Sequence, residues 1–137
     1  AKIADAPYDF SFSGLKSAVL NYLNGCQMKG IDVNRADVAA SFQKAVCDVL
    51  VEHAMLAVKE SGLNKLAIAG GVASNGTLRM AMEQACAENG IRFYRPSPIF
   101  CTDNAAMIGA AGYYEYMQGT RSGYDLNAVP NLKLGER

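Results

Sequence analysis

A short apolar run followed by two glycines sets the tightest limit on how this chain folds. Residues 66–69 read LAIA and lead directly into Gly70 and Gly71. A four-residue apolar run bounded by glycines is typical of a buried strand. Residues 75–89 then predict a helix, and residues 91–94 predict a second strand. Adjacent strands joined by one helix pair in parallel with a right-handed crossover, so the sequence predicts an α/β fold.

Helical periodicity is clearest between residues 34 and 62. Asn34 stands where an N-cap belongs, and Asp37 follows in the first turn, where the helix dipole favours negative charge. Ser61 and Gly62 supply the expected stop. The apolar stripe of this predicted helix consists of Val38, Phe42, Val46, Val49, His53 and Leu56.

Two further helices are predicted on either side of these elements. The first has four apolar residues at helical spacing, Leu15, Val19, Tyr22 and Leu23. The Asn-Gly pair at residues 24–25 and Gly30 are expected to break it. The other helix is predicted over residues 103–119, followed by a polar tail over residues 120–137, whereas residues 1–12 show no helical periodicity. No repeat or linker divides the 137 residues, which predicts a single domain.

The composition excludes several classes of protein. Thirteen Lys and Arg residues balance thirteen Asp and Glu residues, so a basic nucleic-acid-binding module is disfavoured. Half of the residues are hydrophobic, which is typical of a folded chain with a core. No apolar run approaches the roughly 18 residues of a membrane span, so the sequence predicts no membrane association.

The cysteines and the single histidine are interpreted as structural residues. The cysteines are Cys26, Cys47, Cys86 and Cys101, without a Cys-x-x-Cys pair or a histidine cluster that would complete a zinc site. Their apolar neighbours predict buried thiols of a reducing compartment, which indicates a cytoplasmic protein. His53 lies on the apolar stripe, and we expect it to be packed and hydrogen-bonded rather than catalytic.

Two segments could carry chemistry, and each has a structural alternative. Backbone donors after Gly70 and Gly71 could receive an anion at the start of the next helix. Alternatively, Ser74 or Asn75 merely caps that helix, which contributes about 1 kcal/mol of stability. Asp103 stands at the head of the last predicted helix, where a carboxylate could act as a ligand or could cap the helix. Spacing alone leaves both pairs of alternatives open.

Three motifs occur in order, DFSFSGLK at residues 9–16, AGGVASN at residues 69–75 and FCTDNAAMI at residues 100–108. Together they resemble the TsaD family, threonylcarbamoyladenosine synthase subunits also called O-sialoglycoprotein endopeptidases or glycoproteases, over nearly the whole chain. The resemblance implies the two-lobed fold of actin, sugar kinases and Hsp70-type ATPases (the ASKHA fold). It implies that residues 1–137 are one incomplete domain, the carboxyl-terminal part of the second lobe, helix-rich with a small parallel sheet.

The resemblance also implies an activity and a set of site residues. The activity is transfer of a threonylcarbamoyl group from threonylcarbamoyl-AMP to the exocyclic amine of the adenosine beside the tRNA anticodon. Asn75, with Gly70 and Gly71, matches the family's nucleotide-contacting positions for threonylcarbamoyl-AMP or ATP. Asp103 matches its ligand to one divalent metal ion, expected to be iron, with zinc or magnesium as alternatives. No catalytic residue is assigned.

This chain departs from the family pattern in the metal site. The family also holds its metal with a His-x-x-x-His pair, which is absent here because His53 stands alone. The site is therefore expected to be incomplete and the isolated chain inactive, with tRNA and partner subunits bound through the full-length protein. Since the sequence begins with Ala1 rather than Met, we expect a processed product or a piece of a longer protein. Its missing lobe predicts an unpaired strand edge or uncovered face, and hence self-association.

Two other functions are alternatives to this transferase activity. A non-catalytic interaction module could keep the lobe only to dock partner proteins, and the lone histidine does not distinguish it from the transferase. A metalloprotease is disfavoured because the sequence has no His-Glu-x-x-His helix.

Overall fold

The computed structural model describes residues 2–3 and 6–133 of the chain. Its strands are β1 (Lys2–Ile3), β2 (Ala6–Phe10), β3 (Lys65–Ala67) and β4 (Arg92–Tyr94). Its helices are α1 (Ser13–Met28), α2 (Arg35–Ser61), α3 (Gly76–Glu88) and α4 (Ala105–Met117). The chain divides into two compact units, Ala1–Thr102 and Asp103–Arg137. Within the described residues, no helix has the length and apolar character needed to cross a membrane.

Strands β3 and β4 pair in parallel, which confirms the predicted α/β class with a small parallel sheet. Leu66 lies opposite Phe93, and the ladder continues where the Ile68 N–H donates to the Tyr94 carbonyl at 3.0 Å. Leu66 and Phe93 are half-buried, whereas the other residues of both strands are exposed. The expectation of a buried strand at residues 66–69 is therefore wrong, because only one face of each strand meets the core.

The core of the first unit lies between α2, α3 and the parallel sheet. Its buried side chains are Cys47, Leu78, Met82 and Cys86, with Leu66 and Phe93 among the half-buried residues packed against them. The three α3 residues are spaced four apart, so they share one face of that helix. Because β3 and α3 both pack against this core, the turn that joins them lies beside it.

Helix α2 begins and ends where the sequence predicts. The Ala36 N–H donates to Oδ1 of Asn34 at 3.1 Å, and Gly62 adopts a left-handed φ of 67° after the last turn. Asp37 lies in the first turn and Lys59 in the last, and both charges are favourable to the helix dipole. These local interactions explain why sequence alone located both ends.

Helix α1 is longer than predicted. It spans 16 residues and passes through Asn24 and Gly25, so the expected break there is wrong. The chain turns at the other predicted break, Gly30, which has a φ of 65°. A glycine inside a helix costs about 1 kcal/mol relative to alanine. Burial of the neighbouring Cys26 side chain opposes that cost.

Strands β1 and β2 pair antiparallel before α1, in a region where the sequence shows no helical periodicity. The Phe10 ring packs edge-on against the His53 ring of α2, with centroids 5.5 Å apart. The Tyr8 hydroxyl donates to the Glu60 carboxylate of the same helix. Both partners lie on a distant part of the chain, so residues 1–12 alone give little sign of this strand.

The four cysteines are free and buried, as predicted. Burial raises the pKa of the Cys47 and Cys86 thiols, because a thiolate would lose its hydration there. Both therefore remain protonated at neutral pH and pack as small apolar side chains.

The described part of the second unit is α4 followed by turns and irregular chain to residue 133. Helix α4 spans Ala105–Met117, two residues shorter at each end than predicted. Its N-cap is Asn104, whose Oδ1 accepts a hydrogen bond from the Met107 N–H at 3.0 Å.

Candidate functional site

The glycine turn after β3 adopts a backbone conformation that requires glycine. Gly70 has φ 89° and ψ 169°, a region closed to residues with a side chain. Its carbonyl accepts a hydrogen bond from the Ala73 N–H at 3.0 Å, which starts the short 3₁₀ helix Gly71–Ser74. Gly70 and Gly71 are exposed, so the backbone at this edge of the sheet is open to a ligand.

Asn75 caps α3, as one of the two alternatives for this residue predicts. Its Oδ1 accepts a hydrogen bond from the Leu78 N–H at 3.0 Å. Its Nδ2 donates to Oε1 of Gln43 at 3.1 Å, and Nε2 of Gln43 donates to the Thr77 hydroxyl at 2.8 Å. This chain of hydrogen bonds between α2 and α3 holds the Asn75 amide in one orientation. An amide nitrogen has two N–H donors, so one is left for a ligand.

A small cavity lies beside Asn75. It measures about 140 Å³ and its lining includes Phe42, Val46, Val72 and Asn75. Pockets that enclose a small organic ligand usually measure about 300–1,000 Å³. This cavity is therefore too small to hold a nucleotide by itself, and a nucleotide bound here must extend beyond it.

Arg79 is a buried charged residue that the sequence analysis missed. Its side chain is 6% exposed, and its guanidinium donates to the carbonyl oxygens of Ala73 and Pro96. The sequence feature that could have identified Arg79 is its positive charge near the amino-terminal end of a helix, where the helix dipole opposes positive charge. Gln43 was also missed, because its partners lie 32 and 34 residues along the chain.

Asp103 belongs to the second unit and does not cap α4. Because Asn104 is the N-cap, the expectation that Asp103 could serve as the cap is wrong. Its side chain is exposed. An exposed carboxylate without a capping role is free to act as a ligand, which was the other alternative.

His53 is buried and hydrogen-bonded, as predicted. It is 7% exposed, and its Nδ1 lies 2.8 Å from the Val49 carbonyl oxygen. Since a carbonyl oxygen only accepts, Nδ1 carries the proton and donates it to this bond.

The described residues do not by themselves fit a metal ion. Within residues 2–3 and 6–133 no group of three or more His, Cys, Asp and Glu side chains is placed to hold one. Asp103 offers a single carboxylate, whereas divalent metals in proteins take about four to eight ligands.

We therefore expect the isolated chain to bind iron, zinc or magnesium weakly. Calorimetric titration of the chain with Fe²⁺ and Zn²⁺ should give no submicromolar binding. A titration of Asp103→Asn serves as the control, because it removes the one candidate ligand. Submicromolar binding that disappears in this variant would show that the chain holds a complete metal site.

Comparison with known proteins identifies the family. Residues 1–110 match TsaD, described as tRNA N6-adenosine threonylcarbamoyltransferase. A protein of that name from Clostridium botulinum (strain 657 / Type Ba4) is 58% identical over all 137 residues, which make up 40% of that protein. Another from Clostridium novyi (strain NT) is 61% identical over 129 residues, 94% of this chain and 38% of that protein. The chain thus spans about 40% of the length of its relatives. Since the family match covers most of its residues, the chain belongs to the TsaD family of tRNA N6-adenosine threonylcarbamoyltransferases.

Proposed function

We propose that this chain is the carboxyl-terminal part of a transferase that acts on tRNA. The reaction moves a threonylcarbamoyl group from threonylcarbamoyl-AMP to the exocyclic amine of the adenosine beside the anticodon. The observation that carries this proposal is the match of residues 1–110 to the TsaD family. Because the chain spans only 40% of a relative with this name, the rest of the protein must complete the site.

The glycine turn and Asn75 support a role in binding the nucleotide. Without a side chain at Gly70, a phosphate can approach the backbone at the end of β3. The positive end of the α3 dipole favours a negative group at the same place. The free N–H of the Asn75 amide supplies a directed donor beside it. These groups bind and orient the acyl donor, so that the incoming amine meets it in a productive geometry.

Asp103 is proposed to supply one ligand to a divalent cation, iron, zinc or magnesium. Its exposed carboxylate supports this role, since hard divalent cations take carboxylate oxygens. The remaining ligands must come from outside the described residues, which provide no complete set.

The same proposal extends to the fold and its partners. The chain would form part of the second ASKHA lobe in a cytoplasmic protein that binds tRNA and partner subunits. Within the described residues, β3 and β4 form a two-stranded sheet, so each has one edge without a strand partner. Unpaired edges of this kind are expected when the neighbouring strands belong to another part of a larger sheet. In the isolated chain they are the expected sites of self-association.

A chimera tests the proposed function. This chain would replace the matching 40% of the Clostridium botulinum protein, which aligns with all 137 residues. The chimera is expected to modify tRNA when supplied with threonylcarbamoyl-AMP, while the chain alone is inactive. A folded chimera that leaves tRNA unmodified, under conditions where the parent relative modifies it, would contradict the proposal.

Replacing Asn75 with aspartate in the chimera is expected to weaken nucleotide binding without loss of the helix cap. Aspartate accepts from the Leu78 N–H as well as asparagine does, but it loses the bond that Asn75 Nδ2 donates to Gln43, so the free energy of unfolding should fall by about 0.5–1.5 kcal/mol. The carboxylate has no N–H donor and repels a phosphate, so donor affinity should fall roughly tenfold or more, about 1.4 kcal/mol. Asn75→Ala should lose both cap and affinity. Unchanged affinity in Asn75→Asp would exclude a nucleotide contact.

A second candidate function is an interaction module without catalysis. It is favoured by an open groove of about 1110 Å³ between α1 and α2, whose lining includes Val19, Leu23 and Phe42. Its lining also includes Asp32 and Arg35, and a groove of apolar and charged side chains suits a partner's amphipathic helix. The chimera separates the two functions, because a pure docking module would not restore tRNA modification.

A further inference from the structure

We propose that Arg79 is a positioning residue that holds the nucleotide-binding turn in its active shape. This inference rests on the proposed function. We define the glycine loop as residues 70–75 and the proline loop as residues 95–102. Both loops belong to the first unit, and each follows one strand of the parallel sheet. Arg79 joins them.

The contacts of Arg79 bridge the two loops. Its Nε donates to the carbonyl of Ala73 in the glycine loop. Its Nη2 donates to the carbonyl of Pro96 at 2.7 Å and lies 3.0 Å from Sγ of Cys101. Pro96 and Cys101 lie near opposite ends of the proline loop. A planar guanidinium has donors in a fixed fork, so one side chain can set the distance between all three partners.

Burial of the Arg79 guanidinium costs free energy that its hydrogen bonds must offset. The side chain is 6% exposed, and burial of a charge opposes folding unless polar partners replace its hydration. Among the described residues its partners are two carbonyl oxygens and a sulfur, with no carboxylate. The nearby amino-terminal end of α3 adds an opposing dipole. An apolar side chain would pack here at lower cost, but it could not bond both loops.

The glycine loop depends on this bridge for its place relative to the sheet. Its own backbone hydrogen bonds join Ala73 to Gly70 and Asn75 to Val72, both at 3.0 Å. They give the loop its internal shape, whereas the bonds of Asn75 to α3 and to Gln43 of α2 tie only the last residue of the loop to the helices. Arg79 ties the loop to the chain that continues from β4. Through Ala73, Arg79 therefore fixes the turn that precedes Asn75, without itself touching the nucleotide.

The test compares three variants of the chimera described above. Arg79→Met removes the donors at similar side-chain length, and Arg79→Lys keeps the charge without the fork. Arg92→Met is the matched control, because Arg92 is an exposed arginine of β4. For each variant we would measure amide hydrogen exchange over the whole chain, and kcat and KM for threonylcarbamoyl-AMP.

Arg79→Met should raise amide exchange at least tenfold in the glycine and proline loops while the amides of α2 stay protected. Its kcat/KM should fall at least tenfold at a temperature where the variant remains folded. Arg79→Lys should fail to restore either property, and Arg92→Met should change neither. Exchange that rises equally throughout α2 and α3, or loops that stay protected in Arg79→Met, would overturn the inference. If the unsubstituted chimera is inactive, the proposed function fails, whereas the exchange comparison still decides the role of Arg79.

Discussion

Replacing Met82 with alanine is expected to lower the free energy of unfolding by about 2–5 kcal/mol. Met82 is 2% exposed and belongs to the cluster of Cys47, Leu78 and Cys86 between α2 and α3. Alanine leaves a cavity where the thioether made contacts, and the surrounding helices can close it only in part. A domain of this size is stabilised by about 5–15 kcal/mol in total. The substitution therefore removes a large share of that stability.

The control for this substitution lies two residues away on the same helix. Met80 is 67% exposed, so Met80→Ala loses few contacts and should change the free energy of unfolding by less than about 0.5 kcal/mol. Urea titrations of both variants, followed by far-ultraviolet circular dichroism, give the two values. Equal losses in Met80→Ala and Met82→Ala would mean that the core is not the one described.

Replacing Gly70 with alanine is expected to destabilise the chain by about 1–3 kcal/mol and to reduce the activity of the chimera. Its φ of 89° and ψ of 169° cannot be reached by a residue with a Cβ without strain. No neighbour would contact the added carbon, so backbone strain alone is the cause. Relief of that strain requires the turn to move, which displaces the backbone that we propose receives the phosphate. We therefore expect KM for threonylcarbamoyl-AMP to rise.

Gly76→Ala is a matched control, for which we expect no loss of stability. Gly76 is the first residue of α3, and an added Cβ there also meets open space. Because alanine is a better helix former than glycine, by up to about 1 kcal/mol, this variant should be unchanged or slightly more stable. Thermal unfolding of both chimeras measures the stabilities. If Gly70→Ala is as stable and active as Gly76→Ala, the turn does not need its observed conformation.

Parts of the site were predictable because their chemistry is local. Asn75 was a candidate cap from the sequence, and its bond to the Leu78 N–H spans three residues. The need for glycine at the turn follows from its place between a strand and a helix. That Asn104 rather than Asp103 caps α4 was less predictable, because Asp and Asn are about equally good N-caps. Only the backbone of α4 shows that Asn104 is the residue used.

The sequence by itself determined the parallel β3–β4 pair, the ends of α2 and α3, and the family. Caps, glycine φ preferences and apolar runs act over a few residues, so a local pattern is sufficient to find them. Tertiary structure alone decided that Arg79 would be buried between two loops, because its partner Cys101 lies 22 residues away. It also decided that α1 continues through Gly25, where the local helix penalty of glycine is opposed by burial of Cys26. Burial depends on which distant segments meet, and no local pattern contains that information.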